Sequence, residues 1–128
     1  MNFVAVGAVA LGGALGSVMR YLLDGFIQSV VRSDFPFGIF IVNITGGLVM
    51  GLLTELMALK WNVSLEARTF LITGVLGGYT TFSTFSLQSA LLIERHAYGM
   101  AAVYIVGSAV LSILALFAGL WIVRVIYA

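Results

Sequence analysis

Long apolar stretches alternate with short polar ones along the chain, and this pattern predicts four helices that cross a membrane. The apolar stretches cover residues 3–23, 37–59, 70–93 and 100–126. Each provides the roughly 20 residues that a helix needs to cross about 30 Å of hydrocarbon. Because the polar links are short, consecutive helices are expected to be antiparallel neighbours within a single membrane domain, residues 1–128.

Composition supports lipid as the solvent of this chain. Of its 128 residues, 62% are hydrophobic and 9% are charged, and the net charge is +1. The first apolar stretch follows Met1 and Asn2 with no basic segment and no cleavage site, so it is predicted to be a retained span. Cysteine is absent, and the single histidine, His96, lies in a polar link where a metal or catalytic role is not expected.

The six basic residues do not favour one orientation in the membrane. On an alternating four-helix path, Lys60, Arg68 and Arg124 fall on the side of the N-terminus, and Arg20, Arg32 and Arg95 fall on the other. With three on each side, the positive-inside rule gives no preference. We therefore expect insertion in both directions, with antiparallel pairing of opposed copies. The scattered charges also form no patch for nucleic acid.

Glycine pairs at four-residue spacing predict where helices approach most closely. Such pairs occur in the first three spans, at Gly12 and Gly16, Gly47 and Gly51, and Gly74 and Gly78. Residues without side chains at this spacing lie on one helix face and let two backbones touch. We interpret these glycines as packing residues.

Polar side chains within the predicted spans need partners, because hydrocarbon offers none. Asn43 in the second span can bond to another helix or donate its amide protons to an anion. Tyr104, Ser108 and Ser112 are spaced four residues apart in the last span and share one face. This ladder of hydroxyl groups is equally suited to joining helices and to binding a small ion.

The middle of the third span is a poor helix former. Residues 77–86 read GGYTTFSTFS, in which two glycines precede a run of β-branched and hydroxyl side chains. We expect the helix to break here, with its freed carbonyl and N–H groups available to ions. Phe82 and Phe85 lie within this run. Aromatic rings in a span usually serve packing, but their positive edges can also face an anion.

Three of these segments resemble the Fluc (CrcB-type) family of fluoride channels. GGYTTFSTFS at residues 77–86 is similar to the family's motif, VNITGG at 42–47 to its second-span asparagine and glycines, and GGALG at 12–16 with Arg20 to its first span. The resemblance extends over the whole chain in length, span number and motif order. It implies an all-α integral membrane protein of the bacterial inner membrane, with a broken third helix and an antiparallel, dual-topology homodimer.

The resemblance also implies a function. Two pores per dimer would export fluoride passively and so reduce its toxicity in the cytoplasm. The fluoride path would be bordered by Asn43, Phe82, Ser83, Thr84, Phe85, Tyr104, Ser108 and Ser112. Arg20 would lie at a vestibule, and the backbone carbonyls of Gly77 and Thr80 from both copies would hold a structural Na⁺ on the two-fold axis. Family members often carry an acidic residue just after the motif, whereas this chain has Gln88, and no role in coupling or gating is assigned to it.

Two other function classes stay open at this point. A four-helix exporter of the small multidrug type has a similar size, but it needs a mid-membrane carboxylate, and Glu55 and Glu94 lie toward span ends. A structural subunit without transport activity is the second class. An enzyme is not expected, because the sequence offers no serine with a histidine base, no paired carboxylates at mid-span and no phosphate-binding loop. The expected partners are fluoride, a second copy of the chain and lipid.

Overall fold

The computed structural model of the protein describes residues 2–127, and all of its regular elements are helices. In chain order these are α1 (Phe3–Val30), α2 (Phe37–Leu59), α3 (residues 65–79), α4 (Phe82–Glu94) and α5 (Tyr98–Tyr127). The segments long and apolar enough to cross a membrane are Phe3–Val30, Phe37–Leu59, Leu65–Glu94 and Tyr98–Tyr127. The third segment contains both α3 and α4. The prediction of four long apolar helices, with a break in the third, is confirmed.

Helices α1 and α3 extend beyond the predicted apolar stretches because local hydrogen bonds continue them into the links. Near the end of α1, Gln28 Nε2 donates to Asp24 Oδ1 at 2.9 Å, one turn away. Residue 24 was predicted to begin a polar link, but the helix continues to residue 30. At the start of α3, the Ser64 hydroxyl accepts a hydrogen bond from the Ala67 N–H at 3.1 Å, which caps the helix before the apolar stretch begins.

Close backbone contacts hold α1 against α3 and α2 against α5. A Cβ atom on Gly12 would lie 2.5 Å from the Phe70 carbonyl oxygen and 2.9 Å from Gly74 Cα. On the other side of the bundle, a Cβ atom on Gly47 would lie 2.6 Å from the Ser112 carbonyl oxygen. These distances confirm the close approach predicted at the glycine pairs. They also fix the separation of the helices that carry the polar residues.

Two extended residues, Thr80 and Thr81, separate α3 from α4. Their ψ angles are 158° and 124°, far from helical values. The break lies at the middle of the segment Leu65–Glu94, and most of α3 before it, Thr69–Leu76, is π-helical. The Thr81 hydroxyl then accepts the N–H of Thr84 at 3.2 Å and so caps α4.

The side chain of Asn43 replaces helical hydrogen bonds that the break removes. Its Oδ1 accepts the Thr81 N–H at 2.9 Å, and its Nδ2 donates to the Thr81 carbonyl oxygen at 3.1 Å. Both main-chain groups of Thr81 are thereby satisfied where no bulk water is available. Of the two uses that the sequence left open for Asn43, the structure shows the bond to another helix. One Nδ2 proton remains for a further acceptor.

The glycine contacts predict opposite results for two adjacent alanine substitutions. Gly12→Ala places a methyl group against the α3 backbone and should lower the free energy of unfolding by roughly 1–3 kcal/mol. Gly13 is the matched control, because a Cβ atom there meets no atom of another described helix within 4 Å. Gly13→Ala should leave stability unchanged or raise it by up to about 1 kcal/mol. Denaturant titration in detergent micelles measures both values, and equal losses for the two variants would contradict this packing.

The Asn43 bonds predict that an apolar substitution of similar size destabilises the fold. Asn43→Leu leaves the Thr81 N–H and carbonyl unpaired at mid-membrane, at a cost of roughly 1–3 kcal/mol for each group. The same denaturant titration measures this loss. Thr54→Leu, at an exposed position on the same helix, controls for a leucine added to α2. A stability equal to that of the control would show that Asn43 does not hold the break.

Candidate functional site

A groove of about 400 Å³ lies beside the break, between α2, α4 and α5. Its polar lining comes from Asn43, Thr80, Thr81, Ser108 and Ser112, and its aromatic lining from Phe82 and Phe85. Met50, Ile113 and Leu116 add an apolar section. The groove therefore gathers five of the eight residues expected along an ion path: Asn43, Phe82, Phe85, Ser108 and Ser112.

Two serines that line this groove have hydroxyl groups without a partner among the described residues. The Oγ atoms of Ser108 and Ser112 are buried and make no hydrogen bond to any residue in the range 2–127. Ser108 is only 5% exposed. A buried hydroxyl without a partner costs roughly 1–3 kcal/mol. Of the two uses that the sequence left open for the ladder, these serines show no bond that joins helices, and both retain a proton to donate.

A row of aromatic rings leads away from the groove. The ring of Phe82 is 79% exposed, and its centroid lies 5.5 Å from that of Phe85. Phe85 in turn lies 5.3 Å from the ring of Tyr104. Phe35 and Phe40 continue the row, with centroids 5.7 Å and 6.3 Å from that of Tyr104. Sequence reasoning missed these last two, although the phenylalanines clustered at the start of the second span were an available signal.

Tyr104 is fully buried, and its hydroxyl proton is donated to Gln88. The Tyr104 hydroxyl donates to Gln88 Oε1 at 2.7 Å. Gln88 also lines a second, larger cavity of about 840 Å³, together with the charged residues Arg32, Asp34 and Arg95. The hydroxyl of Tyr104 is therefore already bonded, unlike the hydroxyls of Ser108 and Ser112. Instead, it connects the aromatic row to the second cavity through Gln88.

Three other expected site residues lie outside the groove lining. Arg20 is half-buried in α1, and its Nε donates to the Gly78 carbonyl oxygen at 3.1 Å, at the end of α3. Ser83 is exposed on the first turn of α4, with its Oγ 3.5 Å from that of Thr81. Thr84 contributes its N–H to the cap of the same helix. The structure therefore places Arg20 against the broken helix, apart from the arginines of the larger cavity.

The break leaves the carbonyl oxygens of Gly77 and Thr80 free. In a continuous helix they would accept the N–H groups of Thr81 and Thr84, but those groups bond instead to the side chains of Asn43 and Thr81. No other residue in the range 2–127 donates to either oxygen. Carbonyl oxygen is a ligand type that hard cations prefer. These two groups fit the Na⁺ site that the sequence resemblance implies.

Comparison with known proteins agrees with this architecture. The sequence model of the CrcB-like family (Camphor Resistance, CrcB) matches residues 7–120. A relative from Agrobacterium fabrum, named fluoride-specific ion channel FluC, is 51% identical over 117 residues, or 91% of this chain and 94% of its own length. Relatives of the same name from Nitrobacter winogradskyi and a Caulobacter species are 49% and 51% identical, over 98% and 94% of this chain and 100% and 94% of their own. This chain belongs to the CrcB-like family and is a multi-pass protein of the inner membrane.

Proposed function

We propose that this protein is a channel through which fluoride leaves the cell passively, along the groove beside the break. The observation that carries the proposal is the pair of buried hydroxyls, on Ser108 and Ser112, that have no partner in the described part of the chain. They lie in one groove with the rings of Phe82 and Phe85. The relatives' name identifies fluoride as the ion to test.

The groove supplies the neutral donors that such a channel needs. Fluoride is small and strongly hydrated, so a pore has to replace its water with hydrogen-bond donors and still release it. The Ser108 and Ser112 hydroxyls and the remaining Asn43 amide proton can donate without adding a fixed positive charge. A buried lysine or arginine would instead hold the anion strongly. Neutral donors in series therefore favour passage over tight binding.

The larger cavity is the proposed entrance to this path. Its arginines, Arg32 and Arg95, are exposed and raise the local concentration of anions, while Asp34 moderates the charge. Gln88 lies in this cavity and contacts Tyr104, whose ring packs on Phe85 of the groove. Anions would move from this cavity past Gln88, Tyr104 and Phe85 into the groove. Arg20 is proposed to stabilise the end of α3 rather than to line the entrance.

A second copy of the chain completes the proposed pores. In one chain the groove is open and Phe82 is largely exposed, which leaves a surface for an opposed copy to cover. With Arg20 bonded inside the bundle, the remaining basic residues still divide almost evenly between the two sides, as insertion in both directions requires. An antiparallel homodimer of this kind would contain two pores.

The same dimer would hold Na⁺ on its axis through the carbonyl oxygens of Gly77 and Thr80 from both copies. These oxygens have no donor among the described residues, which supports this assignment. A bound Na⁺ supplies a fixed positive charge beside the break. Each chain would contribute two oxygen atoms, so the dimer would supply four and the ion would link the two broken helices.

A proton-coupled exporter is less well supported by the structure. Glu55, one of the acidic residues considered for that role, forms an ion pair with Arg124 at 3.2 Å. Glu94, the other, is exposed at the end of α4. A carboxylate that exchanges protons for a cation needs to face a mid-membrane cavity. The groove is lined by neutral side chains instead.

Fluoride efflux from proteoliposomes tests the proposal directly. Purified protein is reconstituted with internal potassium fluoride or potassium chloride, and an ion-selective electrode follows release with and without a potassium ionophore. A channel should release fluoride only when the ionophore relieves the voltage, and should release chloride far more slowly. Release coupled to protons would indicate a carrier, and no release of either anion would indicate a structural subunit.

The unpartnered hydroxyl of Ser108 predicts a loss of function without a loss of stability. Ser108→Ala removes a donor from the path and should slow fluoride efflux by about tenfold or more, the equivalent of one hydrogen bond to a charged group. The free energy of unfolding should not fall, because the Ser108 hydroxyl makes no hydrogen bond within residues 2–127.

Ser89→Ala is the matched control for Ser108→Ala. Ser89 is also a buried serine, but its hydroxyl bonds to the Phe85 carbonyl oxygen at 2.7 Å. This variant should keep most of the fluoride efflux and lose some stability. The reverse pattern, with efflux lost in Ser89→Ala and retained in Ser108→Ala, would contradict the proposed path.

A further inference from the structure

Two main-chain N–H groups at the start of α4 have no hydrogen-bond acceptor. A helix leaves its first N–H groups without helical partners. Here the Thr81 N–H bonds to Asn43, and the Thr84 N–H bonds to the Thr81 hydroxyl. The N–H groups of Phe82 and Ser83, which lie between them, find no acceptor among residues 2–127. Side-chain caps therefore satisfy the N–H groups of Thr81 and Thr84, and those of Phe82 and Ser83 stay free among the described residues.

The position of these groups favours a bound ligand. They lie at the midpoint of the third apolar segment, where lipid cannot accept a hydrogen bond. Helix α4 has 13 residues, so its dipole adds a positive potential at this end. An N–H pair at a helix N-terminus is a good ligand for an anion.

Ser108 provides independent support for a ligand at this place. Its hydroxyl is unpartnered, its side chain is 95% buried, and it lines the same groove as Thr81 and Phe82. Among the residues that the structure describes, no acidic side chain lines that groove. Several hydrogen-bond donors therefore line one small groove in which the described side chains include no charged acceptor. A species that only accepts hydrogen bonds satisfies such a set more completely than water, which also brings two protons that need acceptors.

We propose that the main-chain N–H group of Phe82 and the Ser108 hydroxyl bind a dehydrated small anion in the groove, with the N–H group of Ser83 beside them. The inference rests on the proposed function and deepens it, because it names the donors that replace the water of fluoride at mid-membrane. The second Asn43 amide proton lies on the same groove and is available to the ion as it moves on.

Replacing one amide with an ester tests the inference without changing a side chain. The α-hydroxy analogue of phenylalanine at position 82 removes the N–H and keeps the ring. Fluoride efflux should fall by about tenfold or more, as expected for the loss of one donor to a charged group. The matched control is the same replacement at Leu87, whose N–H lies inside α4, and efflux should stay within about twofold of the parent protein. Parent-like efflux from the ester at position 82, or equal losses at both positions, would overturn the inference.

Two ordinary amino-acid substitutions also compare the channel with and without the N–H group at position 82. Phe82→Pro and Phe82→Leu both remove the ring, but only proline removes the N–H. Proline is well tolerated in the first turn of a helix, and Thr81 before it is already extended, with φ −150° and ψ 124°. Efflux through Phe82→Pro should be at least about tenfold slower than through Phe82→Leu. Equal rates in two folded variants would overturn the inference.

Binding can be measured separately from transport. Sodium fluoride is titrated into the detergent-solubilised protein while the amide resonances of Phe82, Ser83 and Leu87 are followed. The first two should shift in a saturable way, and the shift should weaken in Ser108→Ala, with Leu87 almost unchanged. Fluoride efflux without these shifts would overturn the inference and leave the proposed function standing. Saturable shifts in a protein that releases no fluoride would support the anion site and remove the channel function.

Discussion

The two hydrogen bonds between the Asn43 side-chain amide and the main chain of Thr81 are the interaction on which the rest of this structure depends. Asn43 holds both main-chain groups of Thr81 and so makes an extended residue tolerable at the centre of a membrane helix. Without that pairing, the cost of two unsatisfied groups would favour a continuous helix. All the free main-chain groups near the groove exist because this helix does not continue.

The break also separates free groups of opposite polarity. The carbonyl oxygen of Gly77 lies at the end of α3 and that of Thr80 directly after this helix, on either side of the Gly78 carbonyl that Arg20 already binds. The free N–H groups belong to the start of α4, beside the groove. Under the proposed function, a cation and an anion would be held close together without a charged side chain in the groove. This arrangement explains how neutral residues can build an ion path.

Much of the fold followed from local features of the sequence. Stretches of about 20 apolar residues predicted the membrane helices, the glycine pairs predicted their contacts, and the weak helix formers of residues 77–86 predicted the break. The ends of α1 and α3 were harder to predict, because capping and one-turn hydrogen bonds carry these helices into polar links. The structure brings Asn43, Phe82, Phe85, Ser108 and Ser112 together in one groove, and their roles toward an ion stay predictions.

Long-range partners were beyond the reach of sequence reasoning. That Asn43 bonds to Thr81, Arg20 to Gly78 and Tyr104 to Gln88 depends on the register between helices, which no local pattern records. For the same reason, the hydroxyl ladder looked uniform in the sequence. In the structure its first hydroxyl is bonded and the two serines are free.

The main-chain conformation of Thr80 and Thr81 in a lipid bilayer is the most direct measure of the central claim. Solid-state NMR of reconstituted protein gives the Cα and Cβ chemical shifts of both residues. Extended-type shifts at these two positions, with helical shifts on either side, are the result that this account predicts. Helical shifts without interruption from Gly77 through Thr84 would contradict it, because no free main-chain group would then remain for an ion.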